Sequence, residues 1–433
     1  MCLKIEPKIL NYDELATSRE KKDTLSILEH GLKKSLPKDA ISDIFSGNRL
    51  RLNGKNLELD RYSSVNVVSI GKSADLMAKV VNERTRIRSG IVVIPEGMAS
   101  LIHSKRVTVI RAGHPVPTKK SVLAAHKILQ FLNGLEPTAL VMFLISGGTS
   151  SLVSLPDGIS LGDKQRINTS LIKSGASIKE INCVRKHLSQ VKGGRLIENL
   201  ACHAVSLVMS DVVGDDLSVI ASGITYCDKS TFSDAKRILL KYDLRKDTPK
   251  PVWDRILMGE KRLIPETPKK PRIENHIILT NRDPVVAMRS KARKLGYKTR
   301  MLWPVYGDVR GAALKLSKLF PLRKNSCIVF GGETTVKVTG RGKGGRNQEL
   351  VLHILKKLQN YGLETVVASV GTDGIDGNTK AAGGIMTSGM PQADLDECLE
   401  DNNSFYYMRK YDGAIFTGHT HTNLMDIGVI LRK

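Results

Sequence analysis

Five short loops of this chain combine glycine with charged or hydroxyl side chains, and each directly follows a predicted apolar strand. They are Gly71-Lys72-Ser73, Ser146–Ser150, Ser210–Asp216, Gly331–Glu333 and Gly371–Gly377. In open α/β sheets, ligands bind at the carboxyl ends of the strands, where such loops lie. Glycine lets backbone N–H groups approach an anion, and a cationic side chain neutralises it. Together the loops predict a site for phosphate or another small anion.

The most cationic of the glycine-rich stretches lies further along the second half of the chain. Cys327–Phe330 predicts a short strand, and Gly331–Glu333 predicts the turn that ends it. Four glycines then fall between positions 340 and 345, with Arg341 and Lys343 among them, and Arg346 opens a predicted helix. Since a helix N-terminus carries partial positive charge, this stretch predicts an anion-binding loop. A solvated basic hairpin is the alternative interpretation.

Two well-known nucleotide motifs fit the sequence poorly. Ser73 follows Lys72 as in a P-loop, but Asn66 stands where that motif requires a glycine. The glycines of 340–345 match G-x-G-x-x-G, although Glu364, about 20 residues on, opens the next predicted strand instead of ending it. A nicotinamide-dependent oxidoreductase therefore stays open as an alternative enzyme class.

Acidic residues follow two of the predicted strands. Asp211 and Asp216 come after the apolar run 204–209, and Asp373 and Asp376 lie in the sequence GTDGIDG. Carboxylates at such positions predict ligands for Mg²⁺ or a group that orients a hydroxyl. Helix capping and loop solvation are the structural alternative.

The overall charge favours small anionic ligands. The chain has 67 Lys plus Arg against 43 Asp plus Glu, a formal charge of +24. The basic residues are spread along the chain and only 5% of residues are aromatic, so the pattern disfavours nucleic acid as a partner. A nucleic-acid-binding protein is accordingly the third function class to test.

The cysteine pattern and the hydropathy predict a cytoplasmic protein without a membrane partner. Six cysteines show no CxxC spacing, which favours reduced thiols over a disulfide framework or a zinc site. No run of 18 apolar residues predicts a transmembrane helix, and the N-terminal residues lack the apolar core of a signal peptide.

Alternating strands and helices predict an α/β fold with a parallel sheet. Leucines at 25, 28, 32 and 36 predict an N-terminal helix that ends near Pro37. Strands are predicted at Val65–Ile70, Gly90–Ile94, Val107–Ile110, Ala139–Ile145 and Ala204–Met209.

A chain of 433 residues predicts more than one domain. We expect a large Rossmann-like domain at 1–245 and a connecting segment at 246–275, which is rich in proline and basic residues. A smaller α/β domain at 276–433 is expected to begin with a strand at His276–Leu279.

Seven sequence blocks, in this order, carry a resemblance to a known family. They are AGHPVP (112–117), FLISGGTSSL (143–152), DGISLGDKQ (157–165), SGASIKEINCVRKHLSQVKGGRL (174–196), SDVVGDDLSVIASG (210–223), GGETTVKVTGRGKGGRNQE (331–349) and GTDGIDG (371–377). With them the chain resembles the glycerate 2-kinase family, whose MOFRL-type region corresponds to about 326–433.

The resemblance implies a transferase that phosphorylates D-glycerate with ATP and Mg²⁺, giving 2-phosphoglycerate. It also implies a site in the cleft between a Rossmann-like N-terminal domain and a smaller C-terminal domain. D-glycerate and ATP are then the partners, and a homodimer is compatible with this expectation. The alternative is a hydroxypyruvate reductase-type NAD(P)H oxidoreductase, a label also used for this family.

The resemblance implies that Lys72 and Arg346 are catalytic, and a kinase needs such cations on the transferring phosphoryl group. We assign Asp211 as the base or a metal ligand, Asp216 as a second metal ligand, and Arg185 to substrate binding with Lys72 and Arg346. The residues assigned to nucleotide binding are Ser146, Gly147, Gly148, Thr149, Ser150, Lys192, Gly332, Glu333 and Asp373.

Three positions depart from the family pattern. Thr149 replaces a glycine, Ile224 replaces a proline, and GHTHTN (418–423) replaces GPTGTN. These changes concern the fit of the nucleotide or of a substrate loop more than the class of reaction.

Overall fold

The chain forms two compact units in a computed structural model, which describes residues 8–320, 323–359, 362 and 364–432. The central unit is Pro37–Ile278, and the terminal unit combines Met1–Leu36 with Leu279–Lys433. In the described residues, no helix combines the length and the hydropathy that crossing a bilayer requires.

The elements are numbered in chain order. The helices are α1 Tyr12–Leu15, α2 Arg19–Lys34, α3 Pro37–Ile44, α4 Ala74–Arg84, α5 Lys119–Asn133, α6 Thr149–Leu152, α7 Leu161–Lys173, α8 Ile178–His187, α9 Phe232–Lys241, α10 Lys250–Glu260, α11 Arg282–Lys294, α12 Val309–Leu319, α13 Arg346–Leu358, α14 Leu395–Glu400 and α15 Ser404–Lys410. The strands are β1 Phe45–Ser46, β2 Arg49–Leu52, β3 Lys55–Glu58, β4 Val65–Ile70, β5 Ser89–Pro95, β6 Val107–Ala112, β7 Leu140–Ile145, β8 His203–Met209, β9 Glu274–Leu279, β10 Lys298–Asp308, β11 Ser326–Thr335, β12 Val366–Gly371, β13 Gly383–Thr387, β14 Ala414–Ile415 and β15 Asp426–Arg432.

The central unit is built on a six-stranded sheet of order β6-β5-β4-β7-β8-β9, whose first five strands pair in parallel. Every residue of β4 and β7 is buried, as expected of parallel strands that are covered on both faces. The chain runs outward from β4 to β5 and β6 and then returns to β7 on the other side. The β4–β7 boundary is therefore a topological switch point, and the predicted Rossmann-like parallel sheet is confirmed.

The compact units differ from the predicted domains in the middle of the chain. The strand expected to open the second domain is β9, which lies beside β8 at the edge of the central sheet. The predicted connecting segment 246–275 contains α10, whose Val252, Trp253 and Ile256 are buried in a cluster with α7, α8 and α9. Its prolines and basic residues dominate the composition, but its few apolar side chains determine where it packs.

The terminal unit has a mixed sheet of order β10-β11-β15-β12-β13-β14. Only β10 and β11 pair in parallel, and the other neighbours are antiparallel. Helix α2 ends three residues before Pro37, close to its predicted end. Its buried Leu25, Leu28 and Leu32 share a core with Met288 of α11 and with β15, so this helix does not belong to the expected first domain.

The predicted turn at Gly331–Glu333 is wrong, because β11 runs unbroken through these residues. Gly332 has φ +146°, and a Cβ there would lie 1.9 Å from the carbonyl oxygen of Val305 on β10. The pairing of β10 with β11 shifts register between Leu302 and Val305. The glycine therefore permits close strand approach at an irregularity instead of reversing the chain.

Candidate active site

Two loops of the central unit interlock at the switch point between β4 and β7. The amide of Lys72 donates to the carbonyl of Gly147 over 2.8 Å, and the amide of Ser73 donates to Oγ of Ser146 over 3.1 Å. Gly71 has φ +132°, and a Cβ there would lie 2.1 Å from the Ser146 Oγ. Glycine is thus required for this approach, which fixes the backbone of Lys72 beside the predicted Ser146–Ser150 loop.

The Ser146–Ser150 loop turns tightly next to the Lys72 side chain. Gly148 has φ +88°, and a Cβ there would lie 3.5 Å from Cγ of Lys72 and 3.0 Å from Cδ2 of His114. Within the described part of the chain, the amides of Gly147, Gly148, Thr149 and Ser150 donate to no acceptor. This arrangement suits the anion-binding role predicted for the loop.

Thr149, which replaces a family glycine, ties this loop to the sheet. Its Oγ1 lies 2.8 Å from the carbonyl oxygen of Ile70 and 2.7 Å from that of Ser146. The backbone freedom that glycine would supply is unnecessary here, because Thr149 is the first residue of α6. The substitution adds a hydrogen bond without disturbing the turn.

Lys192 and Arg185, both predicted to bind ligands, lie in the same unit. The ammonium of Lys192 donates to the carbonyl of Ser150 over 2.8 Å, so the structure brings Lys192 to the predicted loop. Nε of Arg185 donates to Oδ1 of Asn168 over 3.0 Å. Burial lowers the pKa of both cations, and the charges of Lys164 and Arg185 lower that of Lys192 further.

Asp211 and Asp216 follow β8, at the same edge of the sheet as Lys72. Oδ1 of Asp216 accepts from the amide of Ser218 over 2.9 Å and from its hydroxyl over 2.7 Å. Burial opposes ionisation of Asp216, but the Ser218 hydrogen bonds and Lys179 lower its pKa overall. These contacts give Asp216 a local capping role. In the residues that the structure covers, no group of three or more His, Cys, Asp or Glu side chains could hold a metal ion.

In the terminal unit, Arg346 is held at the start of α13 by two carboxylates. Its Nε and Nη2 donate to the two oxygens of Asp426 over 2.6 and 3.0 Å, and its Nη1 lies 2.7 Å from Oε1 of Glu333. Burial alone would lower the pKa of Arg346, but Asp426 and Glu333 outweigh it and raise that pKa. Arg346 is therefore a permanent cation in a fixed orientation.

Asp376, from the predicted GTDGIDG loop, caps the same helix. Its carboxylate accepts from the amides of Asn347 and Gln348, each over 3.0 Å. Burial raises the pKa of Asp376 to about 6. Because this carboxyl group already occupies the helix N-terminus, the amides of Asn347 and Gln348 are not available to the phosphate that the sequence predicts there.

The amides of the 340–345 loop are also used inside the terminal unit, so the predicted anion cradle in this loop is wrong. Side-chain oxygens of the turn 401–403 and of Asn378 accept most of these amides. The pairs are Gly340 with Asn402 (3.0 Å), Arg341 with Asp401 (2.8 Å), Lys343 with Asn403 (3.1 Å) and Gly344 with Asn378 (3.0 Å).

The glycines of this loop serve close packing. A Cβ at Gly340 would lie 2.2 Å from the carbonyl oxygen of Asp401, and a Cβ at Gly345 would lie 2.2 Å from Cγ of Asp376. The match to G-x-G-x-x-G therefore reflects backbone packing, which removes the sequence basis for a dinucleotide site here.

Three further residues of the terminal unit had been assigned to the nucleotide. Gly332 packs against β10, Glu333 contacts Arg346, and Asp373 follows β12, where its charge raises the pKa of Asp426 after the larger effect of burial. The structure thus gathers Glu333 and Asp373 around the Arg346–Asp426 pair. Sequence reasoning missed Asp426, whose only signal is an acid at the start of an otherwise apolar strand.

Comparisons with known proteins identify relatives of both halves of the chain. A family model described as a domain of unknown function (DUF4147) matches residues 23–257, and the MOFRL family model matches residues 326–426. The chain is 38% identical to a glycerate 2-kinase from Pyrococcus horikoshii, over 89% of this chain and 91% of that protein.

A solved structure and a differently named relative complete this picture. The crystal structure of a glycerate kinase from Thermotoga maritima superposes with a TM-score of 0.81 at 35% identity, covering 94% of this chain and 98% of that one. A protein from Agrobacterium vitis named putative hydroxypyruvate reductase is 36% identical, over 84% of this chain and 86% of its own length.

Proposed function

The chain belongs to the glycerate kinase family, and from that premise we propose that it phosphorylates D-glycerate with ATP to give 2-phosphoglycerate. In this reaction the C2 hydroxyl oxygen forms a bond to the γ-phosphorus, the bond from that phosphorus to the β–γ bridging oxygen breaks, and the hydroxyl proton is released. The observation that carries the proposal is the loop pair at the β4–β7 switch point. There, Lys72 lies beside four amides that have no acceptor among the described residues.

Lys72 and the Ser146–Ser150 loop supply the two kinds of group that phosphoryl transfer requires. The loop amides bind phosphate oxygens, and the Lys72 ammonium neutralises the charge that spreads over the transferring group. Arg346, in the terminal unit, is a second cation of fixed orientation. We propose that turnover needs both cations.

The residues present are compatible with Mg²⁺ held mainly by the nucleotide. Mg²⁺ commonly takes only one or two protein carboxylates and completes its shell with phosphate oxygens and water, so a dedicated cluster of three acids is unnecessary. Asp211 would hold the ion, since Asp216 caps the turn at Ser218. Bound there, Mg²⁺ would neutralise charge on the phosphates.

A coupled assay of ADP release from ATP and D-glycerate tests this proposal, and phosphorus NMR of the product distinguishes 2-phosphoglycerate from the 3-isomer. We expect Lys72→Ala and Arg346→Ala each to reduce kcat about 10²- to 10³-fold without unfolding the protein. Lys127→Ala, at an exposed position of α5, and Lys343→Ala, at an exposed position near Arg346, are the controls. Near-normal turnover of both active-site variants would refute the assignment.

The name of the Agrobacterium relative makes a hydroxypyruvate reductase the second candidate. The packing of the 340–345 loop argues against it, because amides that bind Asp401, Asn402 and Asn403 are not available to a pyrophosphate. Oxidation of NAD(P)H by the purified protein with hydroxypyruvate, without ADP release from glycerate and ATP, would replace the kinase assignment.

A further inference from the structure

Three cationic side chains of the central unit gather beside the Ser146–Ser150 loop. Lys164 comes from α7, Arg185 from α8, and Lys192 from the segment that follows α8. Lys164 and Lys192 are only 2% and 1% exposed, whereas Arg185 is partly exposed. Lysine is rarely buried this deeply unless it is paired, so two such residues in one place require an explanation.

The hydrogen bonds within the group leave donors unused. Lys192 donates to the carbonyl of Ser150, and Nε of Arg185 donates to Asn168. The ammonium of Lys164 has no hydrogen-bond partner in the described residues. A buried cation without a partner is costly for the fold, and such a group is often kept because it meets a ligand.

Asp157 is the carboxylate that acts electrostatically on Lys164, but it is already paired with other cations. Asp157 is the one carboxylate that raises the pKa of Lys164, but it forms an ion pair with Arg255 and lies 4.0 Å from Nη1 of Arg195. Burial and the neighbouring charge of Arg185 lower the pKa of Lys164 to about 7. Among the described residues, Lys164 and Arg185 therefore lack a nearby carboxylate of their own as counter-charge, and an entering oxyanion would supply one.

We infer that Lys164, Arg185 and Lys192 form the subsite for the carboxylate of the hydroxy-acid substrate. The inference rests on the proposed function. It adds Lys164, which lies in the block DGISLGDKQ but had no assigned role, and it moves Lys192 from the nucleotide to the substrate. The planar guanidinium of Arg185 keeps its terminal N–H groups for a carboxylate, and the two ammonium groups supply further donors. Lys192 connects this subsite to the loop that borders Lys72, so the substrate hydroxyl and the phosphoryl group would meet in one unit.

Kinetics of a Lys164→Met variant test this inference, with Lys173→Met, at the exposed end of the same helix, as the matched control. We expect Lys164→Met to raise KM for D-glycerate about 10- to 100-fold and to leave KM for ATP within twofold of wild type. Lys173→Met should leave both constants unchanged. An increase confined to KM for ATP would overturn the assignment, since the subsite would then bind phosphate. Unchanged values for both substrates would also overturn it, since Lys164 would then be structural.

Thermal unfolding supplies a second measurement that does not depend on turnover. Without ligand, Lys164→Met should unfold at a higher temperature than wild type, because a buried unpartnered cation is removed. D-glycerate alone should stabilise wild type and Lys173→Met but not Lys164→Met. If Lys164→Met fails to fold, the partly exposed Arg185→Gln takes its place in both measurements.

These results separate two kinds of failure. If wild type releases no ADP, the proposed function fails, yet loss of glycerate stabilisation in Lys164→Met would still support a carboxylate site. If wild type is an active kinase and both Lys164→Met and Arg185→Gln keep its KM for glycerate and its thermal response, the inference fails alone.

Discussion

Arg346 and Asp426 form a partly buried ion pair that orients a cation instead of merely adding stability. Replacing a buried pair by apolar residues is often neutral for stability, but removing one partner is costly because a charge is left alone. The bidentate contact fixes the plane of the guanidinium, and Glu333 adds a third point. Asp426 is therefore best understood as a positioning residue for Arg346.

Asp426→Asn should lower kcat about 10- to 100-fold while changing KM for either substrate much less. Asparagine keeps an acceptor but loses the charge and one of the two oxygens that hold Arg346. Steady-state kinetics with Asp396→Asn, an exposed acid of α14, as the control checks this. If Asp426→Asn lowers kcat only because it lowers the unfolding free energy, stabilising solutes should restore its kcat. That result would instead indicate a purely structural role.

Asp376 predicts a specific pH dependence of stability. Its pKa is raised by burial from 3.8 to about 6, so the folded state binds this proton more tightly than the unfolded state. Its contribution to folding is thus complete below about pH 4 and is lost as pH rises through about 6.

Asp376→Asn should lose hydrogen bonds that cap the N-terminus of α13, so it should be less stable than wild type at pH 4. Between pH 4 and pH 6.5 the stability difference should narrow by about 1–2 kcal/mol, because wild type alone loses the contribution of the protonated carboxyl. Urea unfolding at both pH values measures the difference, and Glu400→Gln, on the exposed side of α14, is the control. If the stability difference between wild type and Asp376→Asn instead widens as pH rises, the folded state favours the ionised form of Asp376.

Some site residues could be predicted from the sequence and others could not. Lys72 and the Ser146–Ser150 loop each follow a strongly apolar strand that the hydropathy pattern predicts. Their position at the same edge of the parallel sheet could therefore be predicted. Asp426 lies 80 residues from Arg346, and its pairing depends on β15 entering the sheet between β11 and β12. Local patterns contain no information on that pairing.

At the level of elements, the glycine-rich segment 340–345 packs against another part of its own unit, although its sequence predicts a ligand-binding loop. Its backbone runs against the turn 401–403, whose side chains take up its amides. Glycine is selected in both situations for close backbone approach, so composition cannot tell a ligand from a neighbouring chain segment. The same ambiguity produced the wrong turn at Gly331–Glu333.

Two glycine substitutions should therefore act in opposite directions. Gly340→Ala should destabilise the protein by about 1–3 kcal/mol, because its Cβ would overlap the backbone of Asp401. Gly311→Ala, in α12 with nothing within 4 Å of its Cβ, should stabilise by about 0.5–1 kcal/mol through helix propensity. Chemical denaturation of both variants measures the two changes. A neutral Gly340→Ala would mean that the loop can move away from residue 401.

At the level of the whole molecule, the terminal unit is discontinuous in sequence. Domain boundaries were predicted from composition, which assumes that a domain is one stretch of chain, and α2 shows that assumption to be wrong here. Leu25, Leu28 and Leu32 of α2 are completely buried with Met288 and residues of the second sheet. Their 3.6-residue periodicity predicted the helix but could not predict its partner.

A fragment of residues 279–433 should not fold stably without α2. Burial of each large aliphatic side chain contributes about 1.5–3 kcal/mol, so the loss of four such contacts from Leu25, Ile27, Leu28 and Leu32 is comparable to the 5–15 kcal/mol stability of a typical domain. Co-expression of a peptide covering residues 8–36 should restore a cooperative unfolding transition. A fragment that unfolds cooperatively on its own would contradict this.

The discontinuity also affects biosynthesis. Helix α2 leaves the ribosome early, while α11, against which it packs, is made only after about 240 intervening residues, a delay of roughly 12–50 s at 5–20 residues per second. During that interval its leucine stripe has no partner from its own unit, and exposed apolar surface of this kind makes a nascent chain prone to aggregation.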